Sequence, residues 1–386
     1  MNNNNYYSRN KYPLNTVRKG QHDQWYDLAQ RLFYEADIKI NGSRPFDIQV
    51  HDNRFFKRVL QQGALGLGES YMDGWWDCEK LDEMVTRTLR ADLDGIIKRN
   101  MKNMVRLAGE KLLNMQSNKW AWIAGTEHYD LGNRLFCLIL DPYMQYSCGY
   151  WRNAENLHTA QQNKLKLICE KLQLKKGMTL LDIGCGWGGL AAYAAENYGV
   201  RVTGVTVSAE QIRMASIRCS SLDIDFKLID YQDLPTLTQT FDRIVSIGMF
   251  EHVGAKNHLT YFNIINQLLK KSGLFLLHTI CSNKTDHNVD PWINKYIFQH
   301  DSLSSISQIS SASETWFVTE DLHNFGTDYD KTLIAWEQRF NSSWHLLEDD
   351  YPPIFRRTFD YYLNSCAGAV RARKIQLLQF IFTKGI

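Results

Sequence analysis

The 386-residue chain is 44% hydrophobic and 22% charged, a globular make-up with room for two or three domains that excludes a disordered or fibrous protein. Its 44 Lys and Arg against 42 Asp and Glu leave a formal charge of +2, which removes the broad basic field that nucleic-acid binding needs, so no nucleic-acid partner is expected. Eight cysteines (Cys78, Cys137, Cys148, Cys169, Cys185, Cys219, Cys281, Cys366) stand singly with no CxxC pair, so no metal site is expected; without a signal-like apolar start or a spanning run of about 18 apolar residues, the chain is expected in the cytoplasm, soluble or peripheral, with its thiols reduced.

Residues 1 to about 20 are polar and aperiodic and read as a mobile tail. From His22 to Ala36 the apolar Trp25, Leu28, Ala29, Leu32 and Phe33 recur at helical spacing, and the following DIKINGSRPFDIQVHD alternates around Asn41-Gly42, which predicts a helix and then a hairpin. Gly63, Gly66 and Gly68 precede an aromatic turn from Tyr71 to Trp76, and Asp82 has the character of a cap opening a long amphipathic stretch through Leu113. This first region reads as a small separate α+β domain. Between Lys98 and Lys119 six basic residues face one acid, interleaved with apolar side chains and followed by Trp120 and Trp122. Such a pattern suits either an anionic lipid surface or a solvated helix packed on its own domain.

From about Asn163 helices alternate with short apolar strands: a helix over 163–174, strands at Thr179 to Ile183, Arg201 to Val205, Asp225 to Ile229, Arg243 to Ile247 and Gly273 to Ile280, with helices over Gly188 to Tyr198, Ala209 to Leu222 and His258 to Leu269. The alternation predicts a mostly parallel, doubly wound, Rossmann-like sheet with its ligand at the carboxyl ends of the strands. Between the first of these strands and its helix lies Asp182-Ile183-Gly184-Cys185-Gly186-Trp187-Gly188-Gly189, a glycine turn that lets a ligand approach the backbone and a helix N-terminus. A dinucleotide site would carry an acid about 20 residues on, whereas the second strand ends in Thr206.

Asp182 followed by GxGxG resembles instead the first motif of S-adenosylmethionine-dependent methyltransferases. That resemblance assigns the methionyl end to Asp182, Gly184, Cys185, Gly186 and Gly188, the ribose side to Thr206 and Gln211, and the adenine to Asp230 and Tyr231. Gln145-Tyr146-Ser147-Cys148, Met249-Phe250-Glu251-His252-Val253-Gly254, Leu277-His278-Thr279-Ile280, Asp290-Pro291-Trp292-Ile293, His323-Asn324-Phe325-Gly326 with Tyr329, and Asn364-Ser365-Cys366-Ala367-Gly368 together resemble the cyclopropane-fatty-acyl-phospholipid synthases, densely from Trp120 onward and more loosely before it. The resemblance implies an N-terminal lipid- or membrane-associated domain over 21–116, a catalytic methyltransferase domain over 117–386, an unsaturated phospholipid substrate at a membrane surface, and a homodimer. It adds Tyr146 and Ser147 to the cofactor contacts. It also implies a bound bicarbonate as the base, held by Cys148, Glu251, His278, Ile280 and Tyr329, with Cys366 a further site residue.

The residues agree with that chemistry. Methylating an alkene leaves a carbocation that must lose a proton to close a three-membered ring, so a base is required but no strong nucleophile. Neutral His and Tyr can donate hydrogen bonds to a small anion, and Glu251 can orient it or serve as the base directly. Cys366 has no acyl or phosphoryl group to accept, which leaves it a packing or access role. Two other readings stay open on the residues alone: a methyltransferase acting on a heteroatom, which needs only the glycine loop, and a lipid-binding protein without catalysis.

Overall fold

The computed structural model describes residues 24–97, 132–285, 289–298 and 302–384. The expected N-terminal tail and the basic Lys98–Trp122 stretch lie outside the described residues.

Two short strands, β1 (Gln49–Val50) and β2 (Trp76–Asp77), form an antiparallel pair. The remaining eight make one sheet: β3 (Thr179–Ile183), β4 (Arg201–Thr206), β5 (Ile224–Leu228), β6 (Phe241–Ile247), β7 (Leu269–Ser282), β8 (Ser304–Ser305), β9 (Phe317–Asn324) and β10 (Ile375–Lys384). Its order is β5-β4-β3-β6-β7-β10-β9, with β8 beside the end of β7. β5, β4, β3, β6 and β7 run parallel, while β10 enters antiparallel between β7 and β9. The central strands read as continuous apolar runs because helices cover both faces; in β3 four of five residues are buried. The strand order reverses between β3 and β6, which opens a crevice at their carboxyl ends.

The expected strands and helices of this half form with shifted ends. The helix after β4 spans Ala209–Arg218 and stops before Leu222. β7 extends beyond Gly273–Ile280 at both ends: Leu269 pairs with Phe241 of β6, and Cys281 and Ser282 pair with Gln376 and Ile375 of β10.

The hairpin expected over 37–52 is absent. The Asp47 carboxylate, 0% exposed, accepts from the Lys39 and Arg44 N–H groups at 2.9 and 3.0 Å and from the Arg44 guanidinium at 2.9 Å. This local polar knot takes the backbone donors that a ladder would need. The one isolated bridge among the described residues here, Ile40 to Ile48, is parallel and so no part of a hairpin, and β1 pairs with β2 instead. The long stretch expected from Asp82 to Leu113 is also interrupted: the helix Leu81–Arg90 begins after Lys80 and ends just before Asp92, whose φ is 54°.

Residues 24–97 share one hydrophobic cluster with the helices Pro291–Tyr296, Asp328–Ser343 and Pro353–Arg371. Trp76, fully buried, meets Tyr71 at 5.1 Å and Tyr361 at 6.5 Å between ring centroids. Around this seam Tyr71 donates to Asp360 at 2.7 Å, and Arg371 reaches Asp82 at 2.7 Å and Asp330 at 2.8 Å. Helix Pro353–Arg371 is thereby held by apolar packing and by charge-assisted bonds from the N-terminal segment.

Candidate active site

A cavity of about 1030 Å³ occupies the crevice at the carboxyl ends of β3, β4 and β6. Ten of the predicted cofactor residues line it: Tyr146, Ser147, Asp182, Gly184, Cys185, Gly186, Thr206, Gln211, Asp230 and Tyr231. Gly184 and Gly186 adopt φ of 82° and 54°, the left-handed region that favours glycine. Gly188 is not among the lining residues. A Cβ there would lie 2.7 Å from the Phe226 ring, so its smallness serves the packing of the helix Gly189–Tyr198 rather than the ligand.

The polar groups of this cavity suit S-adenosylmethionine. Asp182 is 2% exposed, and its Oδ2 has no hydrogen-bond partner among the described residues, an arrangement that awaits a cationic donor such as an amino group. Burial pushes its carboxyl up to about 7, against an opposing pull from Lys164. The Thr206 hydroxyl donates to Gln211 Oε1 at 2.8 Å, which commits the amide oxygen and leaves the NH2 to donate. Asp230 accepts from the Gln232 N–H at 2.9 Å, fixing the turn that carries Tyr231, whose ring stands 5.7 Å from Tyr261.

One wall of the cavity is the segment 141–148, and it is held from behind. The Asp141 carboxylate accepts from the N–H groups of Tyr143 and Gln145, both at 2.9 Å. Lys164, on the helix Leu157–Lys171 and 0% exposed, donates to Gln145 Oε1 at 2.6 Å and to Ser147 Oγ at 2.8 Å. Desolvation lowers its ammonium to about 8. The sequence reading did not single out Lys164, although it falls four residues from Ala160 and from Ile168 on the buried face of its helix, and a charge in an apolar stripe is a visible signal.

The predicted base residues gather beside this wall. Cys148, Phe325 and Leu377 form a small buried cluster against which Ile280 and Tyr329 pack, and the His278 ring meets Phe325 edge-on at 5.4 Å. Glu251, 6% exposed, accepts the Ile280 N–H on Oε1 at 2.8 Å. Ile280 therefore spends its N–H on the glutamate. His278 is 0% exposed; Gln379 Nε2 donates to its Nδ1 at 3.1 Å, and its Nε2 has no hydrogen-bond partner among the described residues. Desolvation, helped by Lys164 and Lys171, lowers its proton affinity well below the ordinary histidine range, so the ring is neutral. Burial raises the Tyr329 phenol and the Cys148 thiol well above their ordinary values and pushes Cys366 up to about 12. Both thiols are thus protonated near neutrality, which removes nucleophilic roles for them.

Aromatic rings join the two parts. Tyr146 lies 5.0 Å from Phe136 and 4.9 Å from Trp336, and Trp336 lies 6.1 Å from Tyr329. The Tyr146 hydroxyl meets that of Tyr362 at 3.0 Å. Trp336, Phe136 and Gln379 are parts of the site that the sequence reading left unassigned.

The profile of the family described as mycolic acid cyclopropane synthetase matches residues 116–380. The chain belongs to this family. It is 59% identical over 364 residues, 94% of either chain, to the cyclopropane-fatty-acyl-phospholipid synthase of Escherichia coli K12, and 36% identical to a probable fatty acid methyltransferase of Pseudomonas putida, covering 67% of this chain and 68% of that one. Among solved structures, a cyclopropane synthase from Mycobacterium tuberculosis superposes with a TM-score of 0.62 at 29% identity, covering 71% of this chain and all of that one. A mycolic acid cyclopropane synthase complexed with SAH and CTAB gives a TM-score of 0.61 at 30% identity, over 67% of this chain and 95% of the other. The family's synthase fold therefore accounts for the crevice and for the sheet that bears it.

Proposed function

We propose that this chain is a cyclopropane-fatty-acyl-phospholipid synthase, transferring the methyl group of S-adenosylmethionine to a cis double bond of an unsaturated phospholipid acyl chain and closing a cyclopropane ring. The observation that carries this reading is the junction at Tyr146. That side chain lines the cofactor cavity, and one indole, Trp336, separates it from Tyr329 of the buried polar set. A heteroatom methyltransferase needs the cavity but has no use for Glu251, His278 and Tyr329 behind it.

The steps follow from the carbon chemistry. The sulfonium carbon bonds to one alkene carbon as its bond to sulfur breaks, leaving positive charge on the other. Loss of a proton from the new methyl supplies the electron pair that closes the ring. Bicarbonate, when bound, would supply the basic oxygen that takes this proton. The chain's residues fit such a small anion: the buried Nε2 of His278 and the protonated Tyr329 hydroxyl are donors, and Glu251, fixed by the Ile280 N–H, can accept from its hydroxyl. Cys148 supplies a neutral wall. The faces of Tyr146 and Trp336 are suited to positive charge.

The same proposal places the enzyme peripherally on the cytoplasmic side of a membrane, as a homodimer. Its support is that the acyl chain has to be drawn from a bilayer; the homodimer is what the family resemblance implies.

The test is mass spectrometry of acyl chains after incubation with unsaturated phospholipid vesicles, methyl-labelled S-adenosylmethionine and bicarbonate. A labelled CH2 gain is expected. Glu251→Gln keeps an acceptor for the Ile280 N–H and is expected to lower turnover about 10²- to 10⁴-fold. Label on the headgroup would overturn the assignment, and full activity in Glu251→Gln would overturn the role given to Glu251.

A further inference from the structure

Gln379 has a place in the sheet that the base site does not explain by packing. It lies on β10, 0% exposed, inside the apolar run Leu377 to Phe382. The register sets it directly opposite His278 on β7 and directly opposite His323 on β9, so the three side chains form one row on the same face of the sheet. At the outer end of the row, Lys171 Nζ stands 3.3 Å from His323 Nδ1 and 2.7 Å from Asp321. At the inner end is the His278 ring nitrogen that has no partner among the described residues.

A buried amide in an apolar strand is costly unless its bonds serve a purpose. Its nitrogen can only donate. Because Gln379 Nε2 donates to His278 Nδ1 at 3.1 Å, Nδ1 must carry a lone pair, and the single proton of the neutral ring must sit on Nε2. A second proton on Nδ1 would point at the amide NH2. Resting on the bicarbonate reading above, we infer that Gln379 is a positioning residue: it fixes the Nε2–H tautomer of His278 and so makes that buried ring a hydrogen-bond donor toward the anionic base. The reverse tautomer would present a lone pair to the anion and repel it. The role is that of the partners that set the tautomer of a metal-bound histidine, transferred to an anion site.

Gln379→Glu reverses the instruction, since a carboxylate accepts from Nδ1–H and draws the proton off Nε2. Gln379→Asn, too short to reach, removes the instruction without adding charge. The full chain, labelled with ¹⁵N-histidine, is examined by NMR near neutral pH, with the His278 signals assigned by their loss in His278→Gln. Native protein is expected to show a protonated Nε2 and an unprotonated Nδ1, and Gln379→Glu to show the reverse. The bicarbonate concentration giving half-maximal turnover is expected to rise about tenfold or more in both variants, the loss of one bond to a charged group. Affinity for S-adenosylhomocysteine should stay within about twofold of native, which separates lost positioning from lost folding. A native ring protonated on Nδ1, or variants that leave both tautomer and bicarbonate dependence unchanged, would overturn the inference. If native turnover does not depend on bicarbonate at all, the base reading falls, and the tautomer alone then decides the role of Gln379.

Discussion

Gly189 and Gly186 belong to one loop, yet the structure assigns them different costs of substitution. A Cβ on Gly189 would lie 1.9 Å from the Tyr143 carbonyl oxygen and 2.4 Å from Gln145 Nε2. Reaching the lower edge of ordinary contact, 3.4 Å, requires the wall segment to recede by the difference, 1.5 Å. That segment is pinned by Asp141 through two backbone N–H groups and by Lys164 through Gln145, so it cannot swing aside as a side-chain tip would. Overpacking of this kind costs about 1–3 kcal/mol, and the better helix propensity of alanine returns about 0.5–1 kcal/mol, for a net loss of up to about 2.5 kcal/mol in Gly189→Ala. The functional loss should be larger. A displacement of about 1 Å at a positioned group costs about 100-fold, and Tyr146 and Ser147 ride on the displaced segment. A Cβ on Gly186 meets no protein atom within 4 Å at φ of 54°; Gly186→Ala should cost the unliganded fold only the backbone strain of about 1 kcal/mol, while its methyl group would enter the cofactor cavity. Urea unfolding and calorimetric binding of S-adenosylhomocysteine measure both effects. Gly189→Ala with native affinity, or Gly186→Ala as destabilising as Gly189→Ala in urea, would refute the claim that close approach rather than backbone conformation governs this position.

Four further outcomes follow from charged side chains. Asp182 titrates at about 7 in the folded chain against an ordinary 3.8, so affinity for the cationic amino end of the cofactor should fall by up to about tenfold per pH unit below 7, and Asp182→Asn should be weak and flat across that range. With the native pKa raised, the fold holds a proton that the unfolded chain has released between about 4 and 7; stability of the unliganded protein should therefore fall as pH rises through that window, and the Asn variant should lose this slope in urea titrations. Lys164→Met should weaken cofactor binding by more than about tenfold, because Gln145 Oε1 and Ser147 Oγ lose a charged donor. Arg371→Met should lower stability by about 2–4 kcal/mol by leaving Asp82 and Asp330 facing each other without a cation, with cofactor affinity unchanged in the same calorimetric assay.

What the chain declared locally, it declared well. Gly184 to Gly189 announced the loop because the chemistry needs positive φ and close approach at neighbouring positions, and both are properties of single residues. The β-α alternation from Asn163 announced the sheet because its central strands, β3, β4, β6 and β7, are buried on both faces. The hairpin at Asn41-Gly42 failed for a reason equally local but chemically different: Asp47, six residues past Asn41, offers the backbone a carboxylate, and a residue count around an Asn-Gly turn does not weigh that competitor. Gln379 was beyond reach of such reading altogether. It lies 101 residues from His278, and its meaning depends on β10 running antiparallel between β7 and β9, a register that no period in the sequence encodes.

Lys164 explains why a fold would keep so costly a buried set. Its ammonium opposes the rise of the Asp182 carboxyl and helps to depress the proton affinity of His278. One cation therefore biases two groups in the directions their tasks require, Asp182 toward the anion that receives a cationic cofactor and His278 toward the neutral ring that can donate from Nε2. Replaced by an apolar side chain, the ammonium would no longer bear the desolvation that lowers it to about 8, and Gln161 would be the one polar side chain left on the buried face of the helix Leu157–Lys171. The cofactor wall would then lose its charged donor and Asp182 the pull that opposes its rise, while desolvation would still hold the His278 ring neutral.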